Sequence, residues 1–213
     1  KGLPEPAQIA SLNIVPNLYY LALSWPISEY TESDWPEGYD GSPFLAYAYE
    51  IYYQDSNELL AALSEEETSF IDNGLEPSTN YCYDIYGINV QGLPSFGQSS
   101  CQTTGDTPYV NLLNPNGGEI IESGSEYMID WEIENSEYVR NISLLYTSSV
   151  EDMNWELIYS SEDLLSPISI QIPEADGITL DNLFSVTIND RGDFYGNNVN
   201  SYSAQNDYRF IIS

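Results

Sequence analysis

Apolar and polar residues alternate with a period of two along most of this chain, most cleanly at residues 81–88. Tyr81, Tyr83, Ile85 and Gly87 share one parity, and Cys82, Asp84, Tyr86 and Ile88 share the other. Successive side chains of a strand point to opposite faces, so this pattern predicts a strand with the first set against a core. Pro77, Ser78 and Thr79 come just before it, with a fixed φ and two turn hydroxyls, and predict a corner. After Asn89, the glycine-containing segment Val90, Gln91, Gly92 and Leu93 predicts a hairpin turn. With Asn89 opposite Pro94, the same register sets Cys82 opposite Cys101, within reach of a disulfide.

The second half repeats the alternation. Tyr127, Ile129 and Trp131 form one inward row, followed by a strand at residues 142–146 and another anchored by Trp155 and Ile158. Ile168, Ile170 and Ile172 alternate up to Pro173, then Phe184, Val186 and Ile188, and finally Tyr208, Phe210 and Ile212. Short strands at this spacing predict an all-β sandwich. Gly105, Asp106, Thr107 and Pro108 are four turn formers between two strand-rich blocks. The expectation is therefore two tandem β-sandwiches, over residues 1–105 and 106–213, each long enough to bury its own core.

Leu75, Pro77, Thr79 and Tyr81, followed by Tyr83, Ile85, Gly87 and Asn89 and then Gly92, Pro94 and Ser95, resemble the F and G strands of a fibronectin type III domain. The resemblance implies that Tyr81 makes the tyrosine corner, its hydroxyl bonding to backbone upstream. It also implies a strand B at residues 21–25 with Trp25 in the core and a strand C at residues 47–53. The connection at residues 28–43, which holds Trp35, is longer than the family's usual loop, and the cysteine pair is not a family requirement. In the second half, Pro115, Asn116, Gly117, Gly118 and Glu119, then Gly124, Ser125, Tyr127, Ile129 and Trp131, look like the Ig-like repeats of secreted microbial surface proteins. They are similar to the Ser/Thr-rich GPI-anchored family. The chain departs from that family at residues 150–155 and in the long segment 192–206. The two resemblances imply that both sandwiches are Ig-like, and the second implies an extracellular stalk, adhesion or cell-wall role.

Composition narrows the partners. The 213 residues hold 34 acids, 4 bases and no histidine, for a formal charge of −30. Fifteen acids and one base lie at or before Gly105 and 19 acids and three bases beyond it, so the halves carry −14 and −16. Such charge excludes binding to nucleic-acid backbones and anionic membrane surfaces, which need Lys and Arg. The acids are spread over turns and strand faces, as on a solvated and screened surface. Two cysteines that pair by register point to an oxidising, extracellular compartment. No signal peptide or membrane-spanning stretch stands out, and Lys1 in place of Met is expected of a processed or excised chain.

Without histidine there is no imidazole base, no Ser-His or Cys-His nucleophile and no ordinary zinc site. A two-carboxylate hydrolase needs only acids, but a chain with 34 of them holds such pairs everywhere. The expectation is a non-catalytic protein that requires no cofactor. Calcium is the metal best suited to the oxygens of Asp190, Asp193, Asn197 and Asn198, although ordinary turns use the same residues. Arg191, Gly192 and Asp193 also spell the integrin-binding tripeptide, for which coincidence is the simpler account. Tyr52 and Tyr86 share the outward parity, with Gly97 beside Tyr86 and Trp35 in the nearby long connection. Rings on a sheet face can stack on sugars or bury against another protein, or simply suit a half-exposed strand. Two functions follow as expectations: a structural or adhesive protein of a microbial cell surface, as the subunit of an extracellular filament whose chains pair by exposed edge strands, and, as the alternative, a carbohydrate-binding or spacer module of a secreted hydrolase. The partners are accordingly other protein chains or polysaccharide.

Overall fold

The structure is a computed structural model and describes residues 8–27, 45–149, 151, 154–205 and 210–213. The chain divides into two compact units, Lys1–Gly105 and Asp106–Ser213.

In the first unit, β1 (Asn13–Pro16), β2 (Tyr20–Ser24) and β5 (Ser69–Asn73) form one antiparallel sheet in the order β1-β2-β5. The second sheet, in the order β4-β3-β6-β7, is built from β3 (Ala48–Tyr53), β4 (Glu58–Ser64), β6 (Asn80–Ile88) and β7 (Gln98–Thr103). Alternation decides which side chains lie between the sheets. Leu21 and Leu23 face inward from β2, Tyr49 and Ile51 from β3, and Tyr83 and Ile85 from β6, all of them buried. Trp25, just past β2, meets Tyr49 edge-on with ring centroids 5.5 Å apart, a contact worth about 1 kcal/mol beyond the area it buries.

The β6–β7 hairpin pairs Cys82 with Cys101, and the two form a disulfide. The turn differs by one position from the expected register: Ile88, not Asn89, lies opposite Pro94. Asn89 instead is buried and uses its side-chain carbonyl to accept the N–H groups of Gln91 and Leu93, which tightens the turn. One extra residue between Pro94 and Gln98 restores the pairing before the cysteines, as a β-bulge does. Upstream, the Tyr81 hydroxyl accepts the backbone N–H of Glu76 at 3.1 Å and so ties the start of β6 to the corner before it.

In the second unit, β8 (Tyr109–Asn114), β10 (Glu126–Glu134) and β13 (Ile168–Gln171) form a sheet in the order β13-β10-β8. The other sheet runs β12-β11-β14-β16-β9, from β11 (Val139–Thr147), β12 (Glu156–Ser161), β14 (Thr179–Asp190), β16 (Phe210–Ile212) and the two-residue β9 (Ile120–Ile121). β9 pairs in parallel with β16, while β15 (Ser201–Gln205) lies along the later part of β14. Trp131, Ile129, Ile142, Phe184, Val186, Ile188, Phe210 and Ile212 meet in the core, and Phe184 stacks on Phe210 at 4.9 Å.

Two elements depart from the sequence expectation. Residues 192–206 are not all loop, because β15 occupies 201–205. Its sequence, Ser-Tyr-Ser-Ala-Gln, puts only Tyr202 and Ala204 against the core, too weak an apolar stripe to stand out. β9 is too short for any period. Tyr208, expected in the last strand, lies outside the described residues.

Candidate functional site

The outward face of β3 and β6 carries Glu50 and Tyr52 from one strand and Asp84 and Tyr86 from its neighbour. Their backbones are registered Glu50 to Tyr86 and Tyr52 to Asp84. The two tyrosine rings meet edge-on, with centroids 5.8 Å apart and planes at 83°. Behind Tyr86 stands Gly97, just before β7: a Cβ there would lie 2.7 Å from the ring, so only glycine leaves the ring its place. The Tyr52 hydroxyl donates to Glu50 at 2.8 Å, and that hydrogen bond, more than burial, raises the phenol above its ordinary pKa. Asp84 accepts from Ser99 and from the Gln54 amide. Glu50, Tyr52, Tyr86, Asn57 and Pro94 line an open cavity of about 220 Å³. That is smaller than the pockets that enclose drug-sized ligands and suits a single ring, from a side chain or a sugar. Trp35, the third aromatic residue expected here, lies outside the described residues.

The expected calcium residues fall at the end of β14 and in the loop after it. Asp190 is fully buried, and its carboxylate accepts the N–H groups of Gly192 and Asn200 at 2.9 and 3.0 Å. Asp193 accepts from the N–H groups of Tyr195 and Asn197 and, through its other oxygen, from the Asn198 amide. The two carboxylates thus organise their own loop, with Asn197 joining through its backbone N–H and Asn198 through its side-chain amide. Among the described residues, no three His, Cys, Asp or Glu side chains gather as a metal would need. The same geometry weighs against the Arg-Gly-Asp reading, since the Asp193 carboxylate is already engaged by three donors of its own loop.

A further polar centre escaped the sequence reading. Asp72, on β5, is only 5% exposed, and one of its oxygens accepts the hydroxyls of both Tyr53 and Tyr83 at 2.7 Å. The carboxylate of one sheet is thereby held by two phenols of the other. Burial first, and then the bond to Asp72, pushes both phenols well above the usual tyrosine range. Parity was the available signal, because Phe70 and Asp72 share the inward face of β5. Nothing local announces the partners, which sit 19 and 11 positions away.

No protein-family model and no curated protein matches the chain. Solved structures do. FN3tt is 22% identical and covers 49% of this chain and 99% of its own, with a TM-score of 0.38. Each unit is, by its own sheets and core, an all-β sandwich. The FN1-FN3 domains of chicken CNTN1 are 11% identical over 88% of this chain and 63% of theirs, with a TM-score of 0.41. The fibronectin(III)-like modules of Clostridium thermocellum CbhA are 12% identical over 93% of this chain and 88% of theirs, with a TM-score of 0.31. These likenesses concern fold alone. The tyrosine pair occupies the outer face of the sheet that holds β3, β6 and β7. Among the described residues no helix is long and apolar enough to cross a membrane.

Proposed function

We propose that this chain is a non-catalytic, extracellular structural or adhesive module of a microbial surface, and that it joins other protein chains through the outer face of β3 and β6. The observation that carries this reading is the Tyr52–Tyr86 pair, held edge-on over Gly97 and fixed by Glu50. Ordered rings on an open sheet face bring large contact area at little entropic cost, the property that makes tyrosine a frequent interface anchor. The absence of histidine and the use of both cysteines in a disulfide support the non-catalytic reading. That same disulfide supports an oxidising, extracellular setting. The setting at a cell surface is what the sequence resemblance of residues 115–131 to microbial surface repeats would imply. Light scattering over a concentration series tests the reading: mass should rise with concentration in the native chain and stay at one chain in Tyr52→Ala. A native chain that stays monomeric throughout contradicts it.

The open cavity beside Glu50 favours a second reading, a carbohydrate-binding or spacer module, since ring faces and a carboxylate acceptor are what a sugar needs. Polysaccharide binding that disappears in Tyr52→Ala, with the chain monomeric, would replace the first reading with this one.

A further inference from the structure

The loop between β14 and β15 is built with more care than a connection requires. Asp190 and Asp193 together accept four of its backbone N–H groups, and the Asp193 N–H donates to the Asn197 carbonyl at 2.8 Å. Gly192 has φ of +72°, and a Cβ there would lie 2.2 Å from the Asn197 oxygen, so the backbone closes on itself where no side chain fits. At the tip of this closed loop stand two aromatic residues, Phe194 at 47% and Tyr195 at 75% exposure, with their rings edge-on at 5.3 Å. Exposed rings on a pre-ordered loop cost solvation when free and little ordering when bound, which is the arrangement of an anchor.

Charge indicates what the anchor meets. Arg140 and Arg191 are the only basic side chains among the described residues, and both are exposed at the base of this loop. Their backbones are neighbours, because the Arg191 N–H donates to the Tyr138 carbonyl as β11 begins. The face described above offers the complement: Glu50 beside the Tyr52 and Tyr86 rings, lining a cavity of about 220 Å³ with them, and Asp84 on the same face, on a unit of charge −14. We infer that the β14–β15 loop of one copy docks on the Tyr52–Tyr86 face of a second copy, with Phe194 or Tyr195 in the cavity and Arg191 against Glu50. This inference rests on the self-joining reading given above and names its two surfaces. Because the two surfaces differ, the contact is head-to-tail and propagates to a filament or closes to a ring.

The test is sedimentation velocity of the full chain in about 0.5 M sodium chloride, where a Debye length of about 4 Å screens the repulsion between chains. Phe194→Ser with Tyr195→Ser, Arg191→Glu and Glu50→Arg should each weaken association about tenfold or more. Arg191→Glu combined with Glu50→Arg should recover most of the loss, as a direct charge pair requires. Arg191, Phe194 and Tyr195 are exposed and Glu50 is half-buried on the outward face, and circular dichroism checks that each variant folds. If the native chain associates and the loop variants associate equally well, the docking inference falls while the self-joining reading stands. If the native chain is monomeric throughout, both fall. A monomeric chain that binds polysaccharide through Tyr195 overturns the inference in favour of a sugar as the occupant.

Discussion

The two units solve one architectural problem with different chemistry. Each packs two sheets around a buried tryptophan, Trp25 just past β2 in one and Trp131 within β10 in the other. Each of these indoles is buried without a hydrogen-bond partner for its N–H among the described residues, so packing alone holds it. They part at the last hairpin. The first unit crosslinks β6 to β7 covalently and ties the two sheets together through Asp72. The second has no cysteine and uses a buried amide. Asn182 accepts the hydroxyls of Tyr146 and Thr179 and donates to the carbonyls of Thr179 and Phe210, where the pairing of β14 with β16 shifts register. A further carboxylate, Asp190, then fixes the loop that follows β14. What the comparison teaches is that a sandwich needs its closing strands pinned, and that covalent and fully satisfied polar pins are interchangeable for this purpose.

Breaking the amide pin should cost most. Asn182→Ala leaves two hydroxyls and two carbonyls without their partner in a fully buried site, and should destabilise the second unit by about 4 kcal/mol, read from its unfolding transition in urea. Opening the covalent pin comes next. Cys82→Ser with Cys101→Ser should cost the first unit about 3 kcal/mol, on the chain-entropy account. In calorimetry that loss should move the first unit's transition and leave the second unit's in place. Gly97→Ala should cost about 1–2 kcal/mol as its methyl displaces the Tyr86 ring, and should weaken self-association with it.

The smallest effect is alkaline. The Tyr53 and Tyr83 phenols are raised above their ordinary value of 10.0. An unfolded chain therefore releases these protons near pH 10 while the folded chain keeps them. The stability this gives is full below pH 10 and falls as pH rises above it. Absorbance titration of the phenols should show two that ionise only on unfolding, and Asp72→Asn should bring that point to lower pH.

Much of this was legible from period alone. Parity placed Tyr83 and Ile85 in the core and Tyr52 and Tyr86 outside. Register arithmetic joined Cys82 to Cys101, although the turn was displaced by one residue, because the displacement is cancelled by the bulge before Gln98. Short polar strands were not legible: β9 has two residues, and β15 is mostly serine and glutamine. Long-range polar partners were not legible either. An aspartate at an inward position demands a donor, but which tyrosines supply it depends on how two sheets stack. The cluster around Asp190 was visible as oxygens in a loop, and a sequence reads the same whether those oxygens face a cation or their own backbone.

Electron microscopy of the concentrated chain tests the central claim, that an ordered tyrosine face on the first unit joins one chain to another. The native protein should form regular assemblies, and the chain carrying Tyr52→Ala and Tyr86→Ala should give dispersed single particles. Dispersed particles from the native protein, or equally regular assemblies from the substituted one, would contradict it.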